Sequence, residues 1–343
     1  MKRENMEYDV VIVGAGPSGL SAAIKIMQLS KENKLPLKVC VIEKGSEVGA
    51  HILSGAVIET RSLEELLPNW KDLDVPLKTQ VSEDHFVYLT SNSGFRVPSP
   101  PQMQNEGNYI ISLGNMCRWL ASHAESLGIE IYSGFPASDF VFYEDGSVKG
   151  ILTGDMGVGK DGEKTQNYQS GIEIFAKMII LAEGCRGSLT KIIMEKFDLK
   201  KDSNPQTYGI GIKELWEIDP KKSKAGKIIH TIGWPLDNAT YGGSWIYHLD
   251  KNLLSVGFVV GLDYENPFLS PYDEFQRFKT HPLVKGVFEN GKRISYGARA
   301  LSEGGFQSLP KLIFPGGLLI GDTAGFLNVP KLKGTHTALK SGI

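Results

Sequence analysis

The chain has 343 residues, 22% of them charged, and a formal net charge of −2. That length allows two or three domains around a substantial core, and the charge balance excludes general nucleic-acid affinity. The three cysteines, Cys40, Cys117 and Cys185, lie too far apart for a metal spacing, so an intracellular, reducing setting is expected. No run of 18 apolar residues is present and the first strand begins at once, so neither a spanning helix nor a signal or transit peptide is expected.

In chain order, Tyr8–Val13 reads as a buried strand, followed by Gly14-Ala15-Gly16-Pro17-Ser18-Gly19 and a helix to about Lys31. Gly14, Gly16 and Gly19 give the spacing of a dinucleotide turn. The first glycine permits the tight turn, the second lets the backbone approach a pyrophosphate, and the third lets helix pack on strand. A second strand, Leu37–Glu43, ends in the acid that such a site uses for a ribose hydroxyl, with Lys44 next to it. The competing reading, a strand–turn–helix without ligand, leaves Glu43 unexplained.

Residues 49–58 are small and apolar and suit contact with a flat ring system or with lipid. Residues 62–70 read as a short helix with a Ser62/Glu65 capping box, its leucines and Trp70 facing either the core or a membrane. A proline-rich connector spans 80–107, a helix covers Asn108–Leu127, and Phe140–Ile151 is a hairpin on an Asp-Gly turn. The strand Ala176–Leu181 leads into Glu183 and Gly184, either a second dinucleotide contact or a plain strand–helix turn. Tyr208–Trp216, Ile228–Trp234, Tyr241–His248 and Leu253–Val260 form successive β runs, an antiparallel sheet inserted in the first domain. Inside it Gly242 and Gly243 mark either a bulge or a ligand against the backbone. Pro271–His281 is a short amphipathic helix. Leu318–Phe326 is a strand, then Gly321 and Asp322, whose carboxylate suits a ribityl chain. Residues 335–343 read as a helix stopped in progress, so a truncated chain is expected.

The glycine turn with Glu43, then Glu183-Gly184, then Gly321-Asp322 resemble the three FAD fingerprints of glutathione-reductase-type flavoproteins. Longer strings narrow the likeness: Gly49–Ala56, Pro205–Gly211, Gly257–Tyr264, Tyr296–Leu301, Glu303–Ser308 and Asn328–Ala338 resemble the electron transfer flavoprotein–ubiquinone oxidoreductase family over essentially the whole chain. The fold implied is α/β, a Rossmann-like FAD domain with an inserted antiparallel-sheet domain. Residues 1–80, 105–204 and 296–343 are expected in the FAD domain, and 81–104 with 205–295 in a quinone domain.

The resemblance implies an enzyme that passes electrons from reduced electron transfer flavoprotein to ubiquinone, using noncovalent FAD and, in the full-length family, a [4Fe–4S] cluster. It assigns FAD contacts to Gly14, Gly16, Pro17, Ser18, Gly19, Glu43, Lys44, Glu183, Gly184, Gly321 and Asp322. It assigns quinone contact to Gly242 and Gly243, and membrane-surface contact to segment 49–69. No side chain is assigned as catalytic, and no metal ligand is expected in this chain because a cluster needs four thiolates. His51 stands where fumarate-reductase relatives anchor flavin covalently, and Ser112 where relatives often carry an arginine, so neither is given a flavin role. The expected place is the cytoplasmic face of a bacterial inner membrane, or the mitochondrial matrix face. The alternatives are an FAD-dependent prenyl reductase or hydroxylase of the same fold, and an FAD-binding fragment without turnover.

Overall fold

The computed structural model describes residues 3–53 and 55–343. Its first half comprises β1 (Asn5–Val13), α1 (Pro17–Glu32), β2 (Val39–Glu43), α2 (Arg61–Leu66), β3 (Glu83–Leu89), β4 (Gly94–Val97), α3 (Leu113–Ser126), β5 (Glu130–Ser133) and β6 (Glu173–Leu181). Then follow α4 (Ser188–Lys196), β7 (Tyr208–Glu217), β8 (Lys227–Gly233), β9 (Gly242–His248), β10 (Leu253–Gly261), α5 (Pro271–Thr280), β11 (Lys292–Ser302), β12 (Gly317–Leu319) and α6 (Thr335–Gly342). Shorter strands complete the sheets.

The first sheet runs parallel in the order β12–β6–β1–β2–β5, with the hairpin Ala137–Phe142/Val148–Thr153 antiparallel on β6. Val11, Ile12, Val41, Ile179 and Leu181 are fully or almost fully buried, as parallel strands covered on both faces require. The chain leaves β1 toward β2 on one side and returns through β6 on the other. That reversal opens a crevice at the carboxyl ends of β1 and β6, where ligands of open α/β sheets bind. α1 and α6 pack side by side there, with Ser21 Oγ donating to Leu339 O at 3.0 Å.

The second sheet has the order β11–β7–β10–β9–β8–β3–β4 and is antiparallel except where β3 runs parallel to β8. One face is covered by α5, which seats Phe275 and Phe278 on Phe258. The other face turns toward the first domain. Residues 83–89 and 94–97 join this sheet as β3 and β4. The boundary expected at 296 is corrected, because β11 pairs with β7 from Lys292 to Ser302 without leaving the sheet. The crossing back to the first domain falls after Ser302.

Local chemistry shifts two helix starts. α2 begins after Thr60, whose Oγ1 donates to Glu64, and Ser62 lies inside the helix donating to His336 O at 2.7 Å. The capping box expected from Ser62 and Glu65 is therefore not formed. α3 begins at Leu113, capped by Ser112, because Tyr109–Ile111 is taken up as a strand.

Candidate functional site

The glycine turn sits at the carboxyl end of β1. Gly14 has φ +110°, and a Cβ there would overlap the carbonyl of Ala182 at the end of β6. A Cβ on Gly19 would overlap the Gly14 carbonyl, so this glycine sets the close approach of α1 to β1. Gly16 differs: φ is −82°, and a Cβ would find nothing within 4 Å. Open space above the middle glycine is the cradle a pyrophosphate needs. Pro17 starts α1, whose first-turn N–H groups point the same way, and Ser18 is buried against Gly321. Glu43 ends β2 beside this turn, its oxygens accepting from Ala15 N at 3.0 Å and Gly45 N at 2.7 Å. Lys44, next to it, is exposed.

The other two motifs arrive at the same crevice. Gly184 has φ +79° and donates its N–H to Thr323 Oγ1 at 2.9 Å, joining the turn after β6 to the turn after β12. The Glu183 carboxylate accepts from Thr190 N at 2.8 Å and Thr190 Oγ1 at 2.6 Å at the start of α4. Gly321 has φ +62°, lies on Ser18, and donates to Ser341 Oγ at 2.8 Å. Asp322 accepts from Ser302 Oγ, and burial raises its carboxyl pKa. Asp322 also lines a cavity of about 280 Å³ shared with Cys185, Arg186, Gln206, Tyr208 and Thr323. All three fingerprints thus meet at the carboxyl ends of β1, β6 and β12.

The inner face of the second sheet forms the opposite wall. Its register aligns Gly297, Lys213, Gly257, Trp245 and His230 in one row across five strands. The Trp245 indole lies where a side chain on Gly257 would stand. Lys213 Nζ donates to the carbonyls of Leu53 at 3.2 Å and Gly55 at 3.1 Å, and Arg299 donates to His51 O. Two cations of this sheet therefore hold the loop that follows β2. His230 shares a 2.8 Å hydrogen bond with Tyr247; burial, then the charge of Lys333, lowers the imidazole to about 3, so it is neutral. Among the described residues, the buried Trp245 Nε1, Ser255 Oγ and His336 Nδ1 have no hydrogen-bond partner. Of these, the Trp245 N–H belongs to the row on the inner face of the second sheet. The sequence carried a signal for this wall: a lysine in the apolar run Tyr208–Trp216 has to find acceptors.

Gly242 and Gly243 lie in β9 with unbroken pairing to Val260 and Val259, so no bulge exists between β9 and β10 at this pair. A Cβ on Gly242 would overlap Val259 O, and one on Gly243 would come 2.6 Å from Thr231 O. Neighbouring strand backbone accounts for both glycines.

Within segment 49–69, for which membrane contact is expected, the leucines of α2 turn inward. Leu63, Leu66 and Leu67 are 0%, 1% and 4% exposed and pack in the first domain's core, together with Trp70 at 6%. Arg61, Glu64 and Glu65 face solvent instead. Ser54 of this segment lies outside the described residues. No described helix is long and apolar enough to cross a membrane. Cys40 and Cys117 are buried apart from each other, and no described group of His, Cys, Asp and Glu forms a metal site.

Comparison with solved structures places the fold. A geranylgeranyl bacteriochlorophyll reductase-like protein from Thermoplasma acidophilum superposes with TM-score 0.73 at 20% identity, covering 98% of this chain and 76% of that one. A flavoprotein/dehydrogenase from Cytophaga hutchinsonii gives 0.65 at 20% identity, covering 98% and 76%. The chain has the Rossmann-like fold of FAD-binding flavoprotein oxidoreductases. The family model described as ETF-QO, ubiquinone-binding matches residues 208–301, and that of the Thi4 family matches residues 1–66. The mitochondrial electron transfer flavoprotein–ubiquinone oxidoreductase of Dictyostelium discoideum is 57% identical over 341 residues, 99% of this chain and 56% of that protein. A probable bacterial counterpart from Acinetobacter baylyi is 58% identical over 349 residues, 100% of this chain and 61% of its own length. Over its whole length the chain is similar to electron transfer flavoprotein–ubiquinone oxidoreductases, and it spans less than two thirds of these relatives' own length.

Proposed function

We propose that this chain is the FAD- and quinone-binding part of an enzyme that passes electrons from reduced electron transfer flavoprotein to ubiquinone at a membrane surface. The observation that carries the reading is the convergence of three nucleotide motifs at one crevice, facing the sheet that the ubiquinone-binding model matches. The open space over Gly16, the adjacent Glu43 and the enclosed Asp322 fit the pyrophosphate, ribose and ribityl parts of FAD. FAD, when bound, supplies the electron-transfer chemistry.

The chain's own residues then have separate tasks. Gly14 and Gly19 shape the turn; Gly16 and Ser18 present backbone N–H groups to phosphate, and Pro17, which has no N–H to offer, starts the helix. Glu43 turns from its backbone donors to ribose hydroxyls, with Lys44 beside it. Gly184 and Gly321 bring the remaining backbone to the cofactor. Gly242 and Gly243 offer only backbone to quinone, from an already formed strand. The binding is noncovalent, and the exposed His51 serves through its carbonyl. Three separated cysteines do not fit a [4Fe–4S] cluster, so none is placed on these residues. We place the protein on the cytoplasmic face of a bacterial inner membrane or the matrix face of the mitochondrial one.

The test is anaerobic. The flavin bound to the purified chain is photoreduced and mixed with a short-tailed ubiquinone in a stopped-flow instrument. Rapid reoxidation, with no reduction of the oxidised form by NADPH, is the expected result. Rapid reduction by NADPH with no response to quinone would overturn the reading in favour of a prenyl reductase or hydroxylase.

A further inference from the structure

Lys213 and Lys333 stand out because neither ammonium has a carboxylate in ion-pair contact among the described residues. Lys213 has only the carbonyls of Leu53 and Gly55, and Lys333 has Lys331 O at 3.0 Å. Burial lowers both to about 8, with Arg299 adding to the effect at Lys213. Asp84 acts on Lys333 only from beyond ion-pair distance. Enclosed cations without counter-charge are costly unless an anion completes the site. Lys213 lies 6.0 Å from the Trp245 ring, and Lys333 lies near enough to His230, the register partner of Trp245, to depress its pKa. Lys213 thus faces the Trp245 indole, whose N–H has no partner, while Lys333 lies on the His230 side of the same row and directly precedes the loop into α6.

We propose that Lys213 and Lys333 make the space between the two sheets a site for an anion, so that the chain binds reduced, negatively charged flavin more tightly than oxidised flavin. This rests on the FAD reading above. Lys213 is a positioning residue as well, since it also holds the loop at Leu53 and Gly55.

The test uses the FAD-loaded chain with Lys213→Gln, which keeps an amide donor for the loop carbonyls but removes the charge. Lys213→Arg keeps the charge, and Lys333→Gln removes the other cation without touching that loop. Spectroelectrochemistry reads the ratio of affinities for reduced and oxidised flavin. Sulfite, an anion that adds to the flavin ring, gives an independent binding constant. The expected result is a tenfold or larger fall in that ratio for Lys213→Gln, a midpoint potential about 30 mV more negative. Sulfite affinity falls about tenfold in parallel, Lys333→Gln moves both the same way, and Lys213→Arg restores most of the loss. Values for both glutamine variants within twofold of wild type would overturn the proposal. If Lys213→Gln does not fold, Lys333→Gln decides alone. A wild-type chain that binds no FAD overturns the cofactor reading as well, whereas an FAD-loaded chain without the shift overturns only this inference.

Discussion

Gly16→Ala separates the cofactor's demands from those of the fold. The added methyl enters space with nothing within 4 Å, at φ −82° and ψ −178°, which any residue adopts. Restricting the unfolded chain favours alanine by about 0.4–1 kcal/mol, while alanine is a poorer N-cap than glycine by a similar amount. The two nearly cancel, so the apo chain's stability should change by about 0.5 kcal/mol or less. Binding should not be spared. If a pyrophosphate fills that space, the methyl overlaps it, at about 1–3 kcal/mol for an overpacked contact, or roughly 5- to 150-fold in the dissociation constant for FAD. Urea unfolding of the apo chain and fluorescence titration with FAD give the two numbers. Gly14→Ala and Gly19→Ala are the contrast: their methyls strike the carbonyls of Ala182 and Gly14, so each should lose fold stability first. FAD affinity of Gly16→Ala within twofold of wild type would refute the assignment of the pyrophosphate.

Lys279→Met should cost about 2–4 kcal/mol in denaturant unfolding, because Glu214 is 1% exposed and Lys279 donates to both its oxygens, at 2.9 and 2.8 Å. Glu214→Gln/Lys279→Met should recover part of that loss; no recovery would mean the pair is not what Lys279 contributes. Glu303 is raised to about 7 by burial first and by Asp263 second. Its folded form binds the proton more tightly than its unfolded form, so its contribution to stability falls as pH rises from about 4.5 to 7. Glu303→Gln should therefore melt higher than wild type at pH 8, by about 2 °C or more, and equally at pH 4. Leu66→Ala should lower stability by about 2–5 kcal/mol without changing liposome association of the folded chain, and the reverse pattern would restore the lipid reading of that helix.

The motifs were legible because their chemistry is local. A strand, three glycines and an acid one strand later specify the crevice from consecutive residues, and Gly321–Asp322 repeats that economy. What was not legible depends on partners distant in sequence. Leu63, Leu66 and Trp70 present the same amphipathic stripe to a core or to lipid, and only the packing of α2 against α1 and α6 decides between them. Gly242 and Gly243 announce a close approach, but which backbone approaches is fixed by pairing with Val259 and by Thr231. Glu183 reads as a cofactor residue from its place after the strand, but that Thr190, in the first turn of α4, would bond its carboxylate depends on how the turn between them folds. The boundary at 296 failed for a related reason: β11 continues through Tyr296-Gly297-Ala298, a string whose likeness to a flavoprotein family says nothing about which sheet it joins.

The parallel pairing of β1 with β6 also bears on how the polypeptide is made. Val13 lies beside Leu181, so 168 residues must be added after the first strand is synthesised before its partner is complete. At about 5–20 residues per second, β1 waits roughly 8–34 s with an apolar edge exposed on the β6 side, and β12 arrives later still. Such long-range closure is slow and leaves nascent chains prone to sticking to one another. Ribosome-bound chains stalled before residue 181 should thus be strong clients of chaperones, while those stalled beyond β12 should escape them.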